Sequence, residues 1–379
     1  MTGSTLVRCS RGIAYASMWY ASIIAGFLFL ACPFLWVLLV SPPLFRRCAE
    51  LLFSCWEMYP SCLMELLGPK ILMTGEHIDP RDSAVLVMNH RTRVDWNFLW
   101  GAMYQACQPR IAAHKLKFVL KDPVKHVPGP GWMMQINNFL YIKRRWDEDQ
   151  QRLARSLDYL LAQKLAVQLL IFPEGTDFTP SSSRRSDLYA AQHGLPEYRQ
   201  LLHPKTTGFT YVVMHQQQAG RLDAVYDLTI AYPDHVPQCE LDLLRGKMPD
   251  EVHFHVRRIA KQDVPKDEES LRRWLEDRWR IKERQLELFH KNKSFVGSYV
   301  WPKSPRLPLI LTFLFWTSLS TLMMILLVTS PLFQLWTIAN FVLFVLISAY
   351  TEGFNQLEIS WYWKWKCFLS KCTGSSKRE

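Results

Sequence analysis

No charged side chain occurs between Gly12 and Phe45, and none between Leu307 and Thr351. Runs of that kind are what a hydrocarbon core selects for, so both read as membrane segments. At about 1.5 Å of rise per residue, the C-terminal run is long enough to cross a core of about 30 Å twice. Ser330-Pro331 is its natural turn, and a helical hairpin is expected. The N-terminal run exceeds one crossing and falls short of two, and Pro33 and Pro42-Pro43 are expected to break it, leaving one span or a partly interfacial segment. It is too long for a signal peptide, and no small-residue cleavage site follows it.

The nine cysteines are odd in number, include no CxxC pair and place Cys32 inside an apolar run, which argues against a disulfide framework. Free cysteines suit a domain facing a reducing compartment. Internal repeats and long low-complexity segments are also missing; only the end from Lys371 to Glu379 looks loose. The net charge of +11 raises the question of nucleic acid, yet Lys and Arg are spread from Arg91 to Arg306 without an aromatic-and-basic repeat. An anionic membrane surface and phosphate-bearing ligands fit that charge better, and no nucleic acid partner is expected.

What is present is apolar: 49% hydrophobic residues, with 15 Trp and 21 Phe. This organises the chain as N-terminal membrane-anchoring helices over 1–69, one layered domain over 70–300, a transmembrane hairpin over 307–350 and a tail over 351–379. Within 70–300, Ser83 to Met88, Leu165 to Phe172 and Ala224 to Tyr232 are short apolar runs bounded by turn residues, as in strands buried on both faces. Glu251 to Val256 alternates and reads as an edge strand. Helical patterns cover Trp96 to Cys107, Glu148 to Lys164 and Glu268 to Lys291, so an α/β layered fold with a central, mostly parallel sheet is expected.

Two histidines have an aspartate five residues on. His77 and Asp82 straddle Pro80 and read as a turn, whereas His90 ends a buried strand and Asp95 opens the next helix, and catalytic groups favour such strand ends. Five residues apart on one helix, two side chains point roughly 140° away from each other. His90 and Asp95 therefore meet only if His90 lies in the loop and Asp95 in the first turn, where a carboxylate also suits the helix dipole. An imidazole, with an ordinary pKa of about 6.5, is a suitable base for a hydroxyl nucleophile, with a carboxylate fixing its tautomer.

Phe172-Pro173-Glu174-Gly175-Thr176 ends the second buried strand and is the most specific motif of the chain. Ahead of it, Lys143-Arg144-Arg145 follows an apolar run; the cluster suits a phosphate, through the fork of Arg, or else a solvated face. His203-Pro204-Lys205-Thr206-Thr207-Gly208 adds a further cation. His253 and His255 share a strand face without a third ligand at matching spacing, which favours packing over a metal site. The seven-residue recurrence of Cys48, Cys55 and Cys62 reads as a helix face, and Glu352 and Glu358 read as the polar end of the second hairpin helix.

Taken in order, NHRTRVDW, the IKR segment, VQLLIFPEGTD, HPKTTGF and AYP resemble the blocks of the glycerophospholipid acyltransferase family, and the resemblance covers nearly the whole chain. It implies acyl transfer from acyl-CoA, a co-substrate, to the free hydroxyl of a lysophospholipid, with no cofactor, metal or covalent acyl-enzyme. Lysolipids of the cardiolipin, phosphatidylinositol or phosphatidylglycerol type stand ahead of lysophosphatidic acid. His90 is then the base and Asp95 its partner, Arg144 an acceptor-phosphate ligand, and Glu174, Gly175 and Lys205 parts of substrate binding. The implied residence is the endoplasmic reticulum membrane, with several spans, membrane lipids as partners and the catalytic domain cytosolic. A catalytically silent lipid-binding or scaffold protein with the same fold is the alternative, against which the intact His90, Asp95 and Glu174 argue.

Overall fold

The computed structural model describes residues 3–107, 116–295, 301 and 305–372. Lys303 and the residues beyond Cys372, including most of the loose end, lie outside them. Helix α1 (Gly3–Gly26) passes through a π-helical turn at Phe27–Ala31 into α2 (Cys32–Val40), and α3 (Pro42–Leu67) follows Ser41. Then come β1 (Lys70–Gly75), β2 (Ala84–Met88), α4 (Asp95–Ala106), β3 (Leu116–Lys121), α5 (Pro130–Ile136), β4 (Leu140–Ile142) and α6 (Trp146–Ala162). The chain continues through β5 (Gln168–Ile171), α7 (Pro180–His193), α8 (Thr206–Gln218), β6 (Ala224–Ala231), α9 (Glu240–Leu244), β7 (Glu251–Ala260) and α10 (Glu268–Asn292). It ends in α11 (Leu307–Thr329), α12 (Pro331–Tyr350) and α13 (Phe354–Cys372).

Three segments are long and apolar enough to cross a membrane: Val7–Val40, Leu307–Thr329 and Pro331–Tyr350. The last two form the expected hairpin; the Ser330 hydroxyl caps α12 by accepting from the Phe333 N–H, and Pro331 sits where a missing N–H costs nothing. Pro33 does not break the first segment. The ladder widens just upstream, where the Cys32 N–H donates to Phe27 O five residues back, and the loosened turn accommodates the ring. The chain breaks only at Ser41, ahead of Pro42-Pro43.

By internal contacts the chain forms two units. The first comprises Met1–Trp19, Glu57–Leu116 and Leu165–Phe313, and its strands lie in the order β1-β7-β6-β2-β5. The β1–β7, β6–β2 and β2–β5 pairs are parallel and β6–β7 is antiparallel. Every residue of β2, β5 and β6 is buried, which is why these strands read as unbroken apolar runs. β7 is not an edge strand. It lies between β1 and β6, and its exposed positions come at Arg257 and beyond, where β1 has already ended at the Gly75–Val256 pair. His253 and His255 pack against Phe289 and Phe295, as expected of packing residues.

The second unit comprises Tyr20–Trp56, Lys117–Lys164 and Leu314–Glu379, and in it β3 and β4 pair in parallel. Its apolar core joins Phe27, Trp132, Phe344 and Phe354. Beside that core is a group of buried ions. Glu358 on α13 is no solvated helix end: it is fully buried, pairs with Arg46 at 3.2 Å, and accepts from Tyr159 OH at 2.5 Å and Asn138 Nδ2 at 2.9 Å. Arg46 also pairs with Glu50, which in turn takes Lys117 at 2.5 Å. Removing one member of such a group leaves an uncompensated buried charge, which costs about 3–5 kcal/mol. Arg46→Met is therefore expected to lower the unfolding midpoint of the detergent-solubilised chain sharply, whereas Arg272→Met on exposed α10 has little effect; equal shifts would refute the buried-ion account.

Candidate active site

β2 hands the chain to the site through one side chain. Asn89 Nδ2 donates to Ile230 O at 3.1 Å and its Oδ1 accepts from Ile230 N at 2.9 Å, so the amide extends the β2–β6 ladder by one step. His90 is thereby the first residue free of the sheet. Asp95 begins α4, and the loop between them brings His90 Nδ1 to 3.0 Å from Asp95 Oδ2. That is the loop-and-first-turn arrangement the spacing requires.

Asp95 is fully buried and takes three further donors: the Thr92 N–H at 2.9 Å, the Thr92 hydroxyl at 3.3 Å and the Tyr232 hydroxyl at 2.6 Å. Burial and the adjacent carboxylate push the Tyr232 phenol well above its usual value, so it remains a donor. With an acceptor-only group at Nδ1, the neutral imidazole carries its proton there and presents Nε2 as an acceptor. His90 retains 19% side-chain exposure and lies against the Phe172 ring, with centroids 4.3 Å apart. An imidazole so held can take a proton at Nε2 from a bound hydroxyl. His77 has no such partner: it stacks on Trp301, while Asp82 accepts from Tyr226 OH and Arg258.

Glu174, just past β5, is buried and spends both oxygens on backbone. Oε1 accepts from the His90 N–H at 3.1 Å and Oε2 from the Leu202 N–H at 3.2 Å. Gly175 follows at φ +70°, a conformation that glycine adopts without the steric cost of a Cβ, and its N–H closes the turn onto Phe172 O. Lys205 is tied to the same turn, its N–H donating to Pro173 O at 2.7 Å. A Cβ at Gly175 would stand in ordinary contact, 3.4–3.6 Å, with the end of the exposed Lys205 side chain, so it is the positive φ and not crowding that asks for glycine here.

The first unit thus brings together His90, Asp95, Glu174, Gly175 and Lys205. Arg144 belongs to the second unit. It follows β4 at φ +64°, uncommon for a residue with a Cβ, and Asp149 steadies the turn by accepting from the N–H groups of Lys143 and Arg145 on either side. Sequence reasoning missed Tyr232, Asn89 and Thr92. Tyr232 lies within AYP, and the signal was a tyrosine at the end of a fully buried strand, where a hydroxyl needs a partner.

The family profile described as Acyltransferase matches residues 70–232, and that described as Acyltransferase C-terminus matches residues 242–316. Lysocardiolipin acyltransferase 1 of Danio rerio is 40% identical over 282 residues, 74% of this chain and 72% of that protein. Its Mus musculus counterpart is 36% identical over 361 residues, 93% of this chain and 95% of that protein. Lysophosphatidylinositol acyltransferase 10 of Caenorhabditis elegans is 36% identical, covering 72% of this chain and 73% of its own length. The chain belongs to the 1-acylglycerol-3-phosphate acyltransferase family. It is an acyltransferase, and the site described lies inside the matched region.

Burial pushes the Glu174 carboxyl up to about 8 despite the two N–H donors. A carboxyl that binds its proton more tightly folded than unfolded favours the folded state most at acid pH, and that contribution is lost as pH rises toward the folded value. Between about pH 5 and pH 8 the native chain is expected to lose stability through this group, and Glu174→Gln to flatten that part of the profile. Denaturation midpoints across this range test it, and an unchanged slope in the variant would count against the assignment.

Proposed function

We propose that the chain transfers a fatty acyl group from acyl-CoA to the free hydroxyl of a lysophospholipid, with His90 as general base. The observation that carries this reading is the 3.0 Å contact between His90 Nδ1 and a fully buried Asp95, which leaves Nε2 as the acceptor. Nε2 takes the hydroxyl proton as the oxygen attacks the thioester carbonyl; the tetrahedral adduct collapses, the C–S bond breaks, and the imidazolium returns its proton to the departing CoA thiolate. Asp95, held by Thr92 and Tyr232, stabilises the transient imidazolium. The scheme uses no acyl-enzyme, cofactor or metal.

Support for the acceptor class comes from the relatives, whose names specify lysocardiolipin and lysophosphatidylinositol acylation. Lysolipids of these types, with lysophosphatidylglycerol, are preferred to lysophosphatidic acid. Arg144 holds the acceptor phosphate through its guanidinium fork, and Lys205 beside Gly175 adds a second cation for substrate. The hairpin of α11 and α12 returns the chain to the side it left. Arg306 precedes it and Lys364, Lys366 and Lys371 follow it, as on a cytosolic face, and the endoplasmic reticulum is the proposed residence.

Purified protein in vesicles, given labelled acyl-CoA and a panel of lysolipids, tests the reaction and its headgroup preference together. His90→Ala is expected to lose about 10²–10⁴-fold in turnover with expression intact, while His77→Ala stays near native. Equal losses would remove His90 from the base role.

Arg144→Ala is expected to raise KM for the lysolipid more than KM for acyl-CoA, because a phosphate clamp contributes equally to ground and transition states. Arg144→Lys restores part of the effect, lacking the fork. A change in kcat alone, or equal changes in both KM values, would refute the clamp.

A further inference from the structure

α12 closes at Tyr350 and α13 opens at Phe354, so α13 starts where the second hairpin helix ends. Its first half is fixed: Glu358 is locked to Arg46, Tyr159 and Asn138, and Phe354, Ile359 and Tyr362 are buried. From Trp361 onward its character changes. Trp363 and Leu369 are 39% exposed and Phe368 63%, interleaved with exposed Lys364, Lys366 and Lys371. The helix has one acidic residue, the buried Glu358, so its outer face carries charge of one sign.

Two indoles fix the level of this face. Trp361 Nε1 donates to Leu38 O at 2.9 Å and Trp365 Nε1 to Val40 O at 3.1 Å. These are carbonyls of the last turn of α2, which lack helical partners, and Val40 ends the segment that is apolar enough to cross a membrane. Span ends lie at the headgroup boundary, where Trp and Tyr concentrate. A helix that begins beside the end of one span and reaches the end of another about two to three turns later runs along that boundary rather than away from it.

We propose that α13 from Trp361 to Lys371 is an interfacial helix seated on the lipid headgroup layer, with its aromatic side chains at the acyl boundary and its lysines on anionic headgroups. The protein would thereby enrich anionic lipid around the ends of its own spans. This inference depends on the membrane segments and not on the acyl-transfer reading. Its face suits lipid because the exposed Trp363, Phe368 and Leu369 are interspersed with exposed Lys364, Lys366 and Lys371, the aromatic and cationic composition of segments drawn to acidic leaflets.

The test uses the full chain in nanodiscs of phosphatidylcholine and phosphatidylserine, with a fluorescent amino acid in place of the exposed Phe368. Lipid carrying a doxyl group near the headgroup is expected to quench it strongly, and aqueous iodide weakly. In parallel, spin-labelled phosphatidylserine is expected to associate with the native chain in preference to spin-labelled phosphatidylcholine. A surface lysine strengthens such attraction by up to about fivefold. The triple variant Lys364→Gln, Lys366→Gln, Lys371→Gln should therefore lose the preference by at least about threefold, and 1 M salt should do the same to the native chain by shortening the screening length to about 3 Å. Strong iodide quenching without lipid quenching would put the helix in water and overturn the proposal. Protection from both quenchers would mean that a protein surface, such as a second copy, covers the face, and would overturn it equally. An unchanged lipid preference in the lysine variant would do the same.

Discussion

The geometry of the site depends on one buried acidic side chain. Glu174 joins the amide of His90 to the amide of Leu202, two segments far apart in sequence, and does so from the turn that ends β5. Each oxygen is directional, so the loop carrying the imidazole, the Pro173–Gly175 turn and the segment leading to Lys205 are held in one mutual geometry. A neutral amide in its place would offer one acceptor and one donor to two donors, leaving a buried N–H opposed. The two backbone bonds thus give Glu174 a structural role in this motif.

The same device recurs in other loops of the chain. Asp95 takes the Thr92 amide, Asp149 takes those of Lys143 and Arg145, and Glu283 takes those of Arg199 and Gln200. Loops that carry function cannot pair their amides in a ladder, yet buried amides must be paired. Side-chain carboxylates from neighbouring helices and turns meet that need and make the loops rigid. Asp95 serves both ends at once, holding its own loop and orienting the imidazole.

Much of this was legible in the sequence. β2, β5 and β6 were readable because parallel strands buried on both faces leave an unbroken apolar run, and the hairpin because lipid forbids charge over its whole length. The His90–Asp95 geometry followed from helix periodicity alone. β1, β3 and β4 were not readable: β4 has only three residues, and lysines bound or interrupt the apolar positions of β1 and β3, so none leaves a long unbroken apolar run. β7 looked like an edge strand because two histidines interrupt its apolar positions, and only packing against Phe289 and Phe295 reveals that these are interior. Tyr232 escaped because its role depends on Asp95, a contact across 137 positions of sequence. Glu358 escaped for the same reason, since nothing local announces that its partners are Arg46 and Tyr159.

A chain with 34 acidic residues can still carry cations at the surface of its motifs. Asp95, Asp149 and Glu174 turn inward onto backbone amides or His90, while Glu50 and Glu358 meet Arg46 and Lys117 in the buried ion group. Several basic side chains of the same motifs lie at the surface: Lys205 is exposed beside a glycine, and Lys143, Arg144 and Arg145 are exposed after β4, with Glu148 paired to Lys143 and Arg145. Sequence charge counts both signs equally, but a ligand meets mainly the sign left at the surface. Inward carboxylates and outward cations therefore leave the surface beside these motifs more positive than a count of both signs along the sequence implies.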